Sequence, residues 1–159
     1  MTITVGEDSY ASVAEADTYW AQRNSDTWSN ATAAQKEAGL REATQYLDGT
    51  YDWIGFLRSD TQPLAWPRTF ARITHGPFRG KYITDDFPKA LKDATCELAH
   101  EALAGRLEEA AERGGMVARE TVDVITVEYS TNAPAHRQFS FVDKILRGLY
   151  QRKTRLVRA

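Results

Sequence analysis

Apolar positions recur at helical spacing in separate stretches of the chain and lose that spacing between them, which predicts a mainly α-helical protein. Ser12 and Glu15 stand at the spacing of a capping box and open a first helix running to about Arg23. Thr32 and Gln35 repeat the signature, and Leu40, Ala43, Leu47 and Tyr51 then form one stripe on a helix over about 33–50, with Gly49 marking its end. A third helix starts at Pro88, a residue suited to the first helical position, with Asp85 and Asp86 near its positive end. Leu91, Thr95, Leu98 and Ala102 share a face of this helix, which the pattern carries to about Arg113, before Gly114 and Gly115. A last short helix, capped by Ser140, sets Phe141, Ile145, Leu146 and Leu149 on its apolar side.

Strand signals are few. Thr2 to Val5 reads as a short strand, and the β-branched run 117–129 as one strand or a hairpin arm, followed by a turn at Asn132 to Pro134. The expected fold is a small helical bundle with a long ordered loop and a minor β-strand or hairpin element. Residues 1–150 form a single domain in this reading, and 151–159 a flexible basic tail. At 159 residues the chain is long enough for a core without staples, and no apolar run approaches the length of a membrane span. The single Cys96 excludes an intrachain disulfide framework, and synthesis in a reducing cytoplasm is expected.

Between Tyr51 and Phe87 the periodicity disappears, yet a connection of this length in a compact domain is ordinarily functional or ordered by a partner. Its stretch QPLAWPRTF holds Trp66 between two prolines, each fixing φ and lacking an N–H, so the segment reads as extended and rigid. Around it gather Trp53, Phe56, Arg58, Arg68, Phe70, Arg72, Phe78, Arg79, Lys81 and Tyr82. Two readings stand. Cations beside rings suit single-stranded nucleic acid, the cations for phosphates and the rings for base stacking. The same aromatics also suit the gap between two helices rich in alanine and leucine, with the arginines reaching neighbouring subunits.

The net charge of −2 conceals blocks: nine acids and three bases over 1–52, one and five over 53–82, eleven and five over 83–128, one and seven over 129–159. Alternating signs of this kind suit solvated faces or head-to-tail association of identical subunits.

Motifs for chemistry are missing. The sequence has no phosphate-cradling glycine loop, dinucleotide fingerprint or nucleophile elbow. His100-Glu101 begins like a zinc-protease helix, but Ala104 stands where the second histidine belongs. Cys96 and His100 are too few for a closed zinc site, His75 and His136 lie in separate loops, and Glu108-Glu109 with Arg113 read as a solvated face. The expectation is a protein that is not an enzyme, with no catalytic residue, cofactor or metal.

Five pieces in this order, DSYASVAEADTYWAQR, AAQKEAGLREATQYLDGTYDWIG, QPLAWPR, DDFPKALKDATCELAHEALAG and a strand region ending in VEYS, cover about 8–130. In this order the chain resembles the head-tail connector, or adaptor, proteins of long-tailed bacteriophages, a group whose members are often labelled DnaT-like ssDNA-binding proteins. The resemblance implies a virion protein at the head-tail junction: a ring of twelve subunits that docks under the portal protein, extends the channel for double-stranded DNA without sequence-specific binding, and carries the stopper or tail proteins. It also implies that the terminal segment reaches the portal, through Arg152, Lys153, Arg155, Leu156, Val157 and Arg158, while Trp53, Trp66, Arg68, Phe70 and Arg72 serve loop packing or subunit contact. The alternative label implies a single-stranded-DNA-binding accessory protein of replication or recombination.

Overall fold

The computed structural model describes residues 2–108, 119–122, 125–128 and 139–151, the middle two segments as backbone. Among the described residues five helices carry the fold: α1 (Val13–Ala21), α2 (Asp26–Asn30), α3 (Ala33–Thr50), α4 (Lys89–Ala102) and α5 (Ser140–Ile145). Two antiparallel pairs accompany them, β1 (Phe56–Leu57) with β2 (Arg68–Thr69) and β3 (Arg119–Val122) with β4 (Ile125–Glu128). The mainly helical expectation holds, with a small hairpin beside it.

Both capping boxes form. Ser12 and Thr32 accept from the backbone N–H groups of Glu15 and Gln35, whose side chains accept in return from the cap N–H groups. Such reciprocal caps satisfy donors that the first helical turn leaves free. α3 packs along α4, and Leu40, Ala43, Leu47, Leu91, Leu98 and Ala99 are buried between and around them. Gly39 makes this approach close: a Cβ there would lie 2.8 Å from the Ala99 carbonyl oxygen. Gly39→Ala is therefore expected to destabilise the protein by about 1–3 kcal/mol through overpacking, although alanine is the better helix former by about 1 kcal/mol. A thermal melt checks the sign.

Several boundaries differ from the sequence reading. Thr2 to Val5 makes no strand, only a bridge from Val5 to Ser9, because the chain turns at once with Gly6 at φ 88°. α1 closes at Ala21, with Gln22 as its C-cap. Gly49 lies inside α3, and Tyr51 is the cap. Pro88 is the N-cap of α4 and Lys89 the first helical residue, while Ser140 begins α5 behind an uncapped Phe139. α4 ends at Ala102 rather than near Arg113, because the chain turns back onto α3: Leu107 is fully buried and its N–H donates to Glu42 Oε1 at 2.7 Å. The run 117–129 supplies both arms of a hairpin, paired from Arg119↔Glu128 to Val122↔Ile125. Arg113, Gly114, Gly115, His136 and the Asn132–Pro134 turn lie outside the described residues.

The α1–α2–α3 corner is held by charge. Asp17 accepts from the Trp28 indole N–H and from Lys36 Nζ, both at 2.8 Å. Burial opposes its charged form, but Lys36 and Trp28 more than offset this and hold its carboxyl below the ordinary 3.8. Glu15 behaves alike: burial raises it, and Lys92 with Ser12 brings it below 4.5. A depressed folded pKa gives stability that is present above the ordinary value and lost as pH falls through the folded one. Acidification below about pH 4 should thus loosen this corner, read as a change in Trp28 fluorescence that Asp17→Asn removes.

Candidate nucleic-acid interface

The stretch between α3 and α4 is built around Asp48 and the motif QPLAWPR. Asp48 accepts from the Tyr10 hydroxyl and, at 3.0 Å, from Ala65 N–H; the Tyr10 oxygen in turn accepts from Trp66 N–H at 3.3 Å. Burial raises the Asp48 carboxyl above its ordinary value against the pull of Tyr10 and Ala65. The Trp53 indole N–H adds a weaker pull, short of a full hydrogen bond. Burial likewise drives the Tyr10 hydroxyl far above its ordinary value, and the neighbouring Asp48 charge adds to this, so tyrosine is the donor in this pair.

Gln62 ties the loop to itself. Its carbonyl accepts from Arg58 and Ser59 N–H, and its amide donates to the Leu64 and Pro67 carbonyls at 2.6 and 3.1 Å. Arg68 gathers three carbonyls, of Ile54 at 2.7 Å, Gly55 at 2.8 Å and Ala65 at 3.1 Å. Trp66 is fully buried, edge-on to Trp53 at 5.9 Å, and its bond to Pro67 is cis. Trp53, Trp66 and Arg68 are thus packing residues of the loop, and none of the three is set out toward solvent.

What the sequence shows as an unpatterned loop is in part a ribbon. β1 pairs with β2, and the chain continues from Ala71 to Ile73 alongside Lys81 to Ile83: Ile83 N–H donates to Ala71 O, Ile73 N–H to Lys81 O and Gly80 N–H to Ile73 O. Gly55 permits the β1–β2 crossing, with φ 75° and a space in which a Cβ would lie 2.5 Å from Thr69 O.

On the ribbon Ala71 points inward and its neighbours outward. Phe56, Phe70, Phe78 and Tyr82 are 70, 77, 58 and 59% exposed, and Leu57 is exposed as well. Val5 is the other large exposed apolar side chain among the described residues. Scattered single exposures are ordinary, but a cluster marks an interaction surface. Phe70 also has φ 53°, a conformation that costs a non-glycine residue of order 1 kcal/mol or more and places its ring in solvent.

The cations divide. Arg58 is paired with Asp86 at 2.5 Å and Arg68 is spent on carbonyls. Arg72 lies over the Tyr82 ring at 4.9 Å and Lys81 over the Phe78 ring at 5.0 Å. Neither these two nor Arg79 has a carboxylate partner among the described residues. The ribbon therefore has an apolar half, Phe56, Leu57 and Phe70, and a cationic aromatic half, Arg72, Phe78, Arg79, Lys81 and Tyr82.

Residues 2–159 match the model of the family described as "Putative DnaT-like ssDNA binding protein". The chain belongs to this family. Comparison with curated proteins and with solved structures gives no match. The match carries the ssDNA-binding label of the resemblance and not its connector label. In this DnaT-like chain the other sequence candidates lie elsewhere: Cys96 is buried, its thiol pushed up to about 12 by burial, and His100 Nε2 meets Ser25 Oγ at 2.9 Å while the ring stacks on Trp20. Among the described residues no three His, Cys, Asp or Glu side chains gather as a metal site. Arg152, Lys153, Arg155, Leu156, Val157 and Arg158 lie outside the described residues. Sequence reasoning missed Asp48 and Gln62, whose roles depend on partners brought in by the fold; the Gln62 side chain reaching its own loop was a signal that the Q-x-L-x-W-P-R spacing already contained.

Proposed function

We propose that this protein binds single-stranded DNA, as an accessory factor in replication or recombination, with the cationic aromatic half of the ribbon as the contact. The observation that carries the reading is the pairing of open rings with cations that have no carboxylate partner among the described residues, Tyr82 with Arg72 and Phe78 with Lys81, in a chain whose family bears this label. Bases stack on such rings without regard to sequence while the cations follow the phosphates. Local charge, rather than the net −2, sets this contact, since exposed charges beyond about 10 Å are screened at 0.1 M salt. Duplex DNA keeps its bases stacked on each other and gives the rings nothing. The test is fluorescence anisotropy with labelled dT20 and unlabelled competitors. Single strands of mixed sequence should compete about equally and duplex poorly; a duplex that competes as well as dT20 would remove stacking from the contact.

A second reading is favoured by the apolar half. Phe56 and Leu57 stand exposed on β1 beside Arg58, whose charge Asp86 pairs, and Phe70 stands exposed just after β2, an apolar cluster that suits a protein partner better than a strand of nucleic acid. In this reading the chain is a ring subunit of a phage head-tail junction, twelve to a ring, docked on the portal and bearing the stopper or tail in the virion, with double-stranded DNA passing through. Light scattering beside dT20 anisotropy separates the two: Phe70→Asn, neutral and at home at positive φ, should leave oligonucleotide affinity alone and break an assembly. Assembly that survives Phe70→Asn would contradict the second reading.

A further inference from the structure

Where the ribbon meets the end of α5, a cleft of about 260 Å³ is lined by Thr74, His75, Arg147, Gly148, Tyr150 and Gln151. Thr74 N–H and its hydroxyl both donate to the Gly148 carbonyl, at 3.0 and 3.2 Å, fixing the ribbon to the chain after α5. Gly148 has φ 112°, and a Cβ there would lie 3.1 Å from His75 O and 3.3 Å from Ile73 Cγ2, so the close seam requires glycine. The cleft opens directly off the ribbon strand: Thr74 and His75 follow Arg72 and Ile73 and precede the tip that bears Phe78 and Arg79.

Its lining offers a complementary set of groups. Arg147 is exposed and has no carboxylate partner among the described residues. The Tyr150 ring is half-buried and braced edge-on by Tyr51 at 4.9 Å, a fixed aromatic wall. Gln151 is exposed with its backbone N–H anchored on Asp52 O at 2.7 Å, leaving a side-chain amide that both donates and accepts. His75 adds a second exposed ring. A cation, two rings and an amide match a phosphate, a base face and a base edge. The volume falls just short of the roughly 300–1,000 Å³ of pockets for drug-sized ligands, and is of the size for one nucleotide unit.

We propose that this cleft holds one nucleotide of the single strand that the ribbon binds, with its phosphate on Arg147 and its base against Tyr150 within reach of the Gln151 amide. The inference rests on the single-strand reading above and extends the path of the strand from the ribbon onto the segment that follows α5, Arg147 to Gln151. It places one base where an amide can read its edge, whereas the ribbon is indifferent to sequence.

The test uses the full chain, labelled dT20 and three variants: Arg147→Ala, Gln151→Ala and, as a ribbon control, Lys81→Ala. Arg147 and Gln151 are exposed, so their truncation leaves the core intact, which a melt verifies. Arg147→Ala should weaken binding about fivefold at 0.1 M salt and make the slope of log K against log salt less negative by about 0.7, the value for one phosphate on a single strand. The parent should bind dT20 and dA20 with different affinities, and Gln151→Ala should bring the two together and leave the slope alone; equal affinities in the parent would overturn the reading of a base edge by Gln151. A strand carrying 5-iododeoxyuridine should crosslink on irradiation to Tyr150 or His75, located by mass spectrometry. Parental affinity and slope in Arg147→Ala, with Lys81→Ala weakened, would overturn the cleft and leave the ribbon standing. So would a slope that stays at the parental value while affinity falls, or crosslinks confined to Phe78 and Tyr82. Loss of all binding in the parent would overturn both.

Discussion

Trp66→Ala is expected to lower the stability of the protein by about 3–5 kcal/mol, the range for truncating a fully buried large aromatic side chain. The indole is wholly enclosed, packs edge-on against Trp53, and stands beside the Tyr10–Asp48 pair that positions Ala65 and Trp66. Removing it leaves a cavity at the junction of the loop with α3, so the ribbon loses its foundation along with the core. The indole N–H itself has no hydrogen-bond partner among the described residues, so its loss leaves no partner orphaned. Trp66→Phe keeps most of the apolar contact and should therefore cost much less than the alanine variant. Urea unfolding of the two variants checks the order; equal midpoints for Trp66→Ala and the parent would mean that the loop is not anchored by this residue.

Phe78→Ala and Tyr82→Ala are each expected to weaken binding of dT20 by about 1–3 kcal/mol, the contribution of a base stacked on an aromatic side chain. Both rings are more than half exposed, and neither is part of the buried core, so the melting temperature should not move by more than a few degrees. Phe56→Ala is the control from the apolar half: it removes an exposed ring that, among the described residues, has no cation over its face. If Phe56→Ala weakens the oligonucleotide as much as Tyr82→Ala, the division of the ribbon into two halves is wrong. The combination of a large loss of affinity with an unchanged melt distinguishes a surface contact from a structural one.

The parts of the fold that rest on local chemistry could be read from the chain. Ser12 with Glu15 and Thr32 with Gln35 cap their helices within four residues, and the stripe Leu40, Ala43, Leu47 needs only the helical period to declare itself. What depended on distant partners could not be read in this way. The sequence pattern carries the helix past Ala102, yet Glu42 and the buried Leu107 turn the chain back onto α3 just after α4. α2 has five residues, too few to show a period, although Ser25 accepting from Trp28 N–H is an ordinary cap. β1 and β2 have two residues each, so no alternation could reveal them. The loop composition marked the candidate surface, because five cations and one acid over 53–82 stand out against the acidic blocks on either side. It could not show that Arg58 and Arg68 are already engaged, by Asp86 and by three carbonyls, while Arg72 and Lys81 lie over rings and, like Arg79, have no carboxylate partner among the described residues. Nor could it separate the buried Trp53 and Trp66 from the exposed Phe70 and Tyr82.

The salt dependence of dT20 affinity, measured on the parent and on a variant with Arg72, Arg79 and Lys81 all replaced by alanine, tests the single-strand reading most directly. Three phosphates neutralised on a single strand contribute about −2 to the slope of log K against log salt. The parent should therefore bind with a slope of about −2 or steeper, and the triple variant should lose about 2 of that slope and roughly a hundredfold in affinity at 0.1 M salt. A parent that leaves dT20 free at low salt, or a triple variant that binds it with the parental slope, would contradict the assignment of this ribbon to single-stranded DNA.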